Sequence, residues 1–171
     1  SGRLLSYDGV ISDITERKRV EAALRKSENR IQSIFRAAPT GIGVVRDRIL
    51  LEVNTRICEM TGYRREELVG NSARILYPTH EDFEDVGREE YRQIAEEGTG
   101  RVETRWMKKD GSIIDVLLSS TPIEPSDLSV GVTFAALDIT ERKRAEEELR
   151  LRSSALNAAA NAVVITDREG N

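Results

Sequence analysis

The spacing of hydrophobic residues changes along the chain, and each change predicts a different kind of element. Between residues 16 and 38 the apolar positions recur at intervals of three and four, the spacing of a helix with one narrow apolar stripe. Short apolar runs separated by turn residues follow between residues 41 and 53, and again between residues 100 and 137, which predicts β-strands. A charged helical pattern returns at about residue 141.

The first helical segment, residues 16–38, contains a heptad seam. The seam is apolar apart from one serine and consists of Val20, Leu24, Ser27, Ile31, Ile34 and Ala38. Such a stripe, with charge elsewhere, is typical of a coiled coil in which a second helix covers the apolar side chains. We therefore expect Val20, Leu24, Ile31 and Ile34 to form a dimer seam. The alternative is an amphipathic helix packed on the sheet of its own domain, and the sequence leaves both open.

The central residues, 39–140, predict one mixed domain. Two strands are followed by short helical turns, by a longer helix that begins near His80 and stops at Gly98, and by three more strands. Asp110-Gly111 between two apolar-rich runs predicts a hairpin with a tight two-residue turn. This order fits an α+β fold, with a five-stranded antiparallel sheet and helices on one face.

One seven-residue sequence occurs twice: both Asp13–Arg19 and Asp138–Arg144 read D-I-T-E-R-K-R. Each copy follows a glycine-containing apolar stretch and precedes a charged helical run. The repeat therefore predicts parts of three similar modules. In chain order, the predicted segments are the last strand and D-I-T of a preceding module (1–15), a linker helix (16–38), a complete domain (39–140), a second linker helix (141–161) and the first strand of a following module (162–171).

The D-I-T-E sequence predicts a fixed junction between strand and helix. Asp138 and Glu141 match a capping box, in which the Asp carboxylate accepts from N–H groups of the first helical turn and the Glu reaches back. A rigid junction transmits movement of the strand into the helix. We therefore expect a set of relay residues at the two copies: Asp138, Ile139, Thr140 and Glu141, with Asp13 and Glu16.

Composition and charge exclude several functions. The 171 residues carry 26 basic and 30 acidic side chains, closely interleaved, so no basic stripe is available for nucleic acid. No apolar run approaches the roughly 18–20 residues that cross a bilayer. Cys58 is the single cysteine, which excludes a disulfide within the chain. We expect a cytoplasmic segment without direct membrane contact. Because no metal-ligand cluster, activated nucleophile or phosphate-binding loop is recognisable, we also expect no catalysis and no bound metal.

Three motifs, in this order of elements, resemble those of PAS sensor domains over about residues 31–143. They are T-G-Y-R-R-E-E-L-V-G at 61–70, K-D-G-S at 109–112 and D-I-T at 138–140. The resemblance implies the PAS fold and a pocket between the concave face of the sheet and the short helices. In relatives this pocket holds haem, flavin, a small metabolite or nothing.

The resemblance also bears on the cofactor. Ala73 stands where the light-sensing flavin branch carries its reactive cysteine, and Tyr77 replaces a glutamine, which disfavours flavin. The single histidine, His80, begins the longer helix, where relatives have a similar stretch that binds no metal, which disfavours haem. We expect a small organic ligand, or side chains alone. The predicted lining is Leu68, Arg74, Ile75, Tyr77, Phe83, Leu117 and Phe134.

The resemblance implies a sensory and signal-relay module within a multidomain signalling protein. Its expected partners are a second copy of the chain, through the linker helices, and the neighbouring PAS and output domains. A sensor histidine kinase is the expected output, and a diguanylate cyclase is the alternative. A structural dimerisation spacer without a ligand is a further alternative that the sequence leaves open.

Overall fold

Five strands pair in antiparallel fashion into one sheet in the computed structural model, which describes residues 5–167, with side chains at residues 14 and 16–158. The strands are β1 (Gly41–Arg46), β2 (Ile49–Val53), β3 (Gly100–Met107), β4 (Ile113–Pro122) and β5 (Val132–Asp138). Their spatial order is β2-β1-β5-β4-β3, so the first and last strands of the domain lie side by side. The predicted α+β architecture is confirmed.

The two hairpins use different turns. Asp47 and Arg48 join β1 to β2 with φ of 50° and 65°, the left-handed pair of a tight two-residue turn. The predicted two-residue turn at Asp110-Gly111 is wrong, because the Lys108 N–H donates to the Ser112 carbonyl and encloses a three-residue loop. Gly111 supplies the left-handed residue that this longer loop needs, with φ of 84°.

Helices cover one face of the sheet. They are α2 (Thr55–Thr61), α3 (Arg65–Leu68), a 3-10 turn (Ala73–Leu76) and α4 (His80–Glu97). Asn54 begins α2 and also ties it to β1, because its Oδ1 accepts from the N–H groups of Ile57 (3.1 Å) and Ile42 (3.0 Å). Thr79 caps α4 through the Asp82 N–H, and Gly98 ends the helix in the left-handed conformation.

The core lies between these helices and the inner face of the sheet. Alternate residues of β4 and β5, such as Val116, Leu118, Phe134 and Ala136, point inward and are buried. Gly43 makes room for this packing, since a Cβ there would lie 2.6 Å from the Phe134 ring. The sheet thus presents an apolar inner wall to α2, the 3-10 turn and α4.

Two long helices flank the domain, α1 (Leu5–Ala37) and α5 (Thr140–Asp167). The described residues up to 39 and those from 40 onward form two separate compact units. The strands predicted before Asp13 and after residue 161 are not observed: residues 5–13 and 162–167 are helical, and residues 168–171 lie outside the described residues. A strand needs a hydrogen-bonded neighbour, whereas a helix satisfies its own backbone. Neither these helices nor the others within residues 5–167 have the length and apolar character to cross a membrane.

Candidate ligand cavity and strand-to-helix junction

A cavity of about 50 Å³ lies between the inner face of the sheet and α4. Its apolar lining includes Val45, Leu50, Leu76, Val86, Leu118 and Phe134, and its polar lining is Arg48, Tyr77, Glu90, Tyr91, Trp106 and Ser120. Pockets for drug-sized ligands usually measure about 300 Å³ or more. This cavity therefore suits only a small molecule or a few waters.

The predicted lining residues fall into two groups. Three of them line the cavity: Tyr77, Phe83 and Phe134. Four do not: Leu68 is buried elsewhere in the core, Ile75 packs at its edge, Arg74 donates to the Tyr77 carbonyl at 2.5 Å, and Leu117 lies on the other face of the sheet. Leu117 is displaced because side chains alternate along β4 and Leu118 takes the inward position.

Arg48 lines the cavity and is partly buried. The left-handed turn directs its side chain toward α4, where the guanidinium lies 3.3 Å from the centroid of the Phe83 ring. Its Nη1 donates to Glu84 at 2.9 Å, and Nη2 donates to the Phe83 carbonyl. Gly87 makes this contact feasible, because a Cβ there would lie 2.6 Å from Nη2. Arg48 therefore joins the β1–β2 turn to α4.

Glu90 carries its carboxyl group into the cavity wall, where it accepts a hydrogen bond from the Ser120 hydroxyl. Burial raises the pKa of Glu90, and the Ser120 hydrogen bond and the Arg48 charge only partly oppose this effect. Burial also raises the pKa of Tyr77. The cavity therefore disfavours negative charge on its own side chains.

Trp106 places an unpaired donor in this wall. The side chain is 2% exposed, its ring packs edge-on against Phe134 at 6.4 Å, and its Nε1 has no hydrogen-bond partner in the described part of the chain. Burial raises the pKa of the Tyr77 hydroxyl, and the neighbouring Trp106 N–H donor partly opposes this effect, but the contact between the two groups does not reach hydrogen-bond geometry. Trp106 thus has an unused N–H beside the cavity.

Ala73 and His80 are the two residues that bear on a cofactor in the sequence resemblance to PAS domains. Ala73 lines the cavity, at the place where the flavin branch has its cysteine. His80 is exposed at the first residue of α4, where its Nε2 lies 4.0 Å from Glu84. The residues described around the cavity thus include neither a reactive thiol nor an imidazole.

The junction between β5 and α5 is held by Asp115 of the neighbouring strand. The Asp115 carbonyl accepts from the Ile139 N–H at 2.9 Å, and the Asp115 N–H donates to Thr140 Oγ1 at 2.9 Å. Asp138 Oδ1 accepts from the Thr140 N–H at 2.9 Å, so the predicted carboxylate contact with the first turn is present. Glu141 is exposed and makes no return hydrogen bond to the start of the helix among the described residues.

Ion pairs extend this junction to two strands. Lys143 Nζ lies 3.1 Å from Asp115 Oδ1 on β4 and 3.0 Å from Glu103 Oε2 on β3, and Arg142 donates to Glu103 at 3.0 Å. The hydrogen bonds to Glu103 and Asp115 raise the pKa of Lys143. The same contact with Lys143 lowers the pKa of Glu103. The first turn of α5 is therefore tied to β3, β4 and β5.

Asp115 and Glu103 were not predicted, because their contacts with the first turn of α5 depend on strand register. The register pairs Val116 with Asp138 and Glu103 with Leu117. The only local signal was a charged residue inside an apolar strand. In the first D-I-T copy, the side chain of Asp13 lies outside those described, and Glu16 is an exposed residue within α1.

The predicted dimer seam forms an exposed stripe on α1. Val20, Leu24, Ile31 and Ile34 keep 58–64% of their surface exposed. Their helical spacing places them along one side of the helix. Whether a second copy covers them stays a prediction.

Comparison with known proteins gives one family. The family model described as PAS domain matches residues 39–141. The sensor protein TdiS of Thauera aromatica is 35% identical over 117 residues, which are 68% of this chain but 21% of TdiS. A PAS domain from Colwellia psychrerythraea has a TM-score of 0.61 at 23% identity, over 66% of this chain and 97% of that one. The PAS domain of a LuxR-family regulator from Burkholderia thailandensis, crystallised with ethanol, has a TM-score of 0.59 at 19% identity, over 63% and 96%.

Proposed function

Because the chain belongs to the PAS domain family, with its domain at residues 39–141, we propose that it relays a signal within a larger sensor protein. In this proposal the state of the cavity, or of a preceding domain, changes the position of α5. The chain itself performs no catalytic step. The output domain is a histidine kinase, and a diguanylate cyclase is the alternative.

The observation that carries the proposal is that the same strands line the cavity and hold α5. Leu118 and Ser120 of β4 line the cavity, and Asp115 of β4 bonds to the first turn of α5. Phe134 of β5 also lines the cavity, and β5 continues directly into Asp138. The two strands are paired from Val116 to Pro122, so we expect a displacement of one strand to carry the other with it. A displacement at the cavity therefore reaches the junction through hydrogen-bonded backbone.

Thr140 offers the sharpest test of this relay. Thr140→Val keeps the shape of the side chain but leaves the Asp115 N–H without its acceptor, which should cost about 1–2 kcal/mol locally. We expect the variant to stay folded, while the output of the parent protein loses its response to the input. Thr140→Ser keeps the hydroxyl and is the matched control. An unchanged response in Thr140→Val would contradict the relay.

We also propose a dimer through α1, with the exposed seam as its interface. Four large apolar side chains along one side of a helix are the pattern that a second helix covers. This is the structural role that remains if the cavity binds nothing.

The dimer proposal predicts that one charge in the seam weakens self-association. Leu24→Asp should raise the dissociation constant at least about tenfold, because a carboxylate would be buried between the helices. Gln32→Asp adds the same charge outside the seam and should change little. Sedimentation equilibrium of the purified variants measures both, and equal dissociation constants would contradict the interface.

A further inference from the structure

The unpaired indole N–H of Trp106 points to what the cavity holds. Leaving a buried donor without an acceptor costs about 1–3 kcal/mol, and such groups are rare in folded proteins. The Tyr77 hydroxyl is a neighbouring acceptor, but its contact with the indole N–H does not reach hydrogen-bond geometry, and no other described residue accepts from that N–H. A molecule in the cavity that offers an oxygen to Trp106 would remove this cost.

The cavity also contains an acceptor for that molecule. The Glu90 carboxyl group takes one hydrogen bond, from Ser120, and its oxygens have lone pairs for more. A group that accepts from Trp106 and donates to Glu90 must have both a lone pair and a proton. A hydroxyl group is the smallest that has both.

Size and charge narrow the class of molecule. A volume of about 50 Å³ accommodates roughly three to five non-hydrogen atoms, at about 10–15 Å³ for each water-sized unit. Most of the remaining lining, including Leu50, Leu118 and Phe134, is apolar and suits an alkyl group. An anion would lie beside Glu90, while the guanidinium of Arg48 is already paired with Glu84. A neutral molecule therefore fits better than a carboxylate.

We propose that the cavity binds a small neutral alcohol whose oxygen accepts the Trp106 N–H and whose hydroxyl proton is donated to Glu90. The alkyl group lies against Leu118 and Phe134. This inference rests on the proposed function, because it names the chemical class of the signal that the relay would report.

The indole N–H itself is the probe, because the chain has a single tryptophan and hence one indole resonance in a nitrogen–proton correlation spectrum. The whole chain is titrated separately with 1-propanol, with propionate and with 1-chloropropane, which are similar in size. We expect a saturable downfield shift with 1-propanol alone. A shift with propionate but not 1-propanol would make the site an anion site. No shift with any of the three would mean that none of these molecules reaches the indole N–H, and either result overturns the proposal.

Variants separate binding from a solvent effect of the alcohol. Trp106→Phe should fold, because it removes the unpaired N–H, but it should abolish the 1-propanol shifts of the Ser120 and Phe134 amides. Ser119→Ala changes the neighbouring position on the outer face of β4 and should leave the indole shift unaltered. Equal alcohol responses of the Ser120 and Phe134 amides in Trp106→Phe and the wild type would contradict the site.

The same spectra distinguish failure of this inference from failure of the relay. If 1-propanol shifts the indole resonance but leaves the amides of Ile139 and Thr140 unmoved, the alcohol site stands and the relay is wrong. If 1-propanol shifts nothing while Ser120→Ala moves those amides, the relay stands and the alcohol site is wrong.

Discussion

Glu90 is the residue whose chemistry depends most on its surroundings. Its carboxyl group has a raised pKa because burial penalises the charged form. The native protein therefore binds a proton at Glu90 more tightly than the unfolded chain does. The contribution of the Glu90 carboxyl group to the free energy of unfolding is fully present below the unfolded pKa, near 4.5. This contribution is lost as the pH rises through the folded pKa.

The raised pKa of Glu90 predicts how the stability of Glu90→Gln depends on pH. The amide keeps an oxygen for Ser120 but cannot ionise, so the variant should gain free energy of unfolding relative to the wild type as the pH rises from 4 toward 7. Urea denaturation across this range measures the difference. Glu97→Gln, at the exposed end of the same helix, is the control. A difference that is independent of pH would contradict the burial of this carboxyl group.

A residue that lines the cavity could be predicted only where the local spacing of residues identified the element that carries it. Tyr77, Phe83 and Phe134 are large aromatic residues in elements that the pattern identifies, and all three line the cavity. Arg48 reaches it through a left-handed turn and the missing side chain of Gly87, neither of which the helical or strand spacing reveals. Leu117 was misplaced because Val116, Leu117 and Leu118 are consecutive apolar residues, so the sequence does not show which of them faces inward.

At the scale of elements, the short helix α3 is fixed to the β3–β4 hairpin by one ion pair. Lys109 Nζ lies 2.7 and 2.8 Å from the two carboxylate oxygens of Glu67. The Arg64 N–H donates to the same carboxylate at 2.9 Å. Lys109, and then the Arg64 backbone, lower the pKa of Glu67 to about 2. The T-G-Y and K-D-G-S motifs are thereby joined in space.

Glu67→Gln should loosen this attachment in a pH-dependent way. The native pKa is depressed, so the stabilisation is present above the unfolded value of 4.5 and is lost as the pH falls through about 2. The variant should be less stable than the wild type at pH 7, and the difference should shrink below pH 4.5. Thermal denaturation against pH measures this, with Glu66→Gln on the same helix as the control. A constant difference down to pH 2 would show that the ion pair contributes nothing.

Most elements of the domain could be predicted because their signals are local. Strand alternation, helix caps such as Thr79 and stops such as Gly98 depend on near neighbours in the sequence. The junction was predictable in part, since Asp138 bonds to the first turn of α5. The bonds from Asp115 were not, because they require the pairing register of two strands that are distant in sequence.

Across the whole molecule, the proposed relay depends on coupling between the cavity and α5. The chain contains flanking segments whose predicted strands are helical in this structure, because strand pairing depends on partners that local sequence does not supply. The match with the sensor protein TdiS spans 21% of that protein. The central domain is therefore where the coupling is best measured.

Amide hydrogen exchange of the Ile139 and Lys143 backbone tests the coupling most directly. Ser120→Ala alters the cavity wall, and Ile57→Val causes a similar loss of about 1 kcal/mol in the core away from the cavity. If the cavity is coupled to α5, exchange at the junction will be faster in Ser120→Ala than its global stability explains, with no such excess in Ile57→Val. Exchange that follows global stability equally in both variants would contradict the relay.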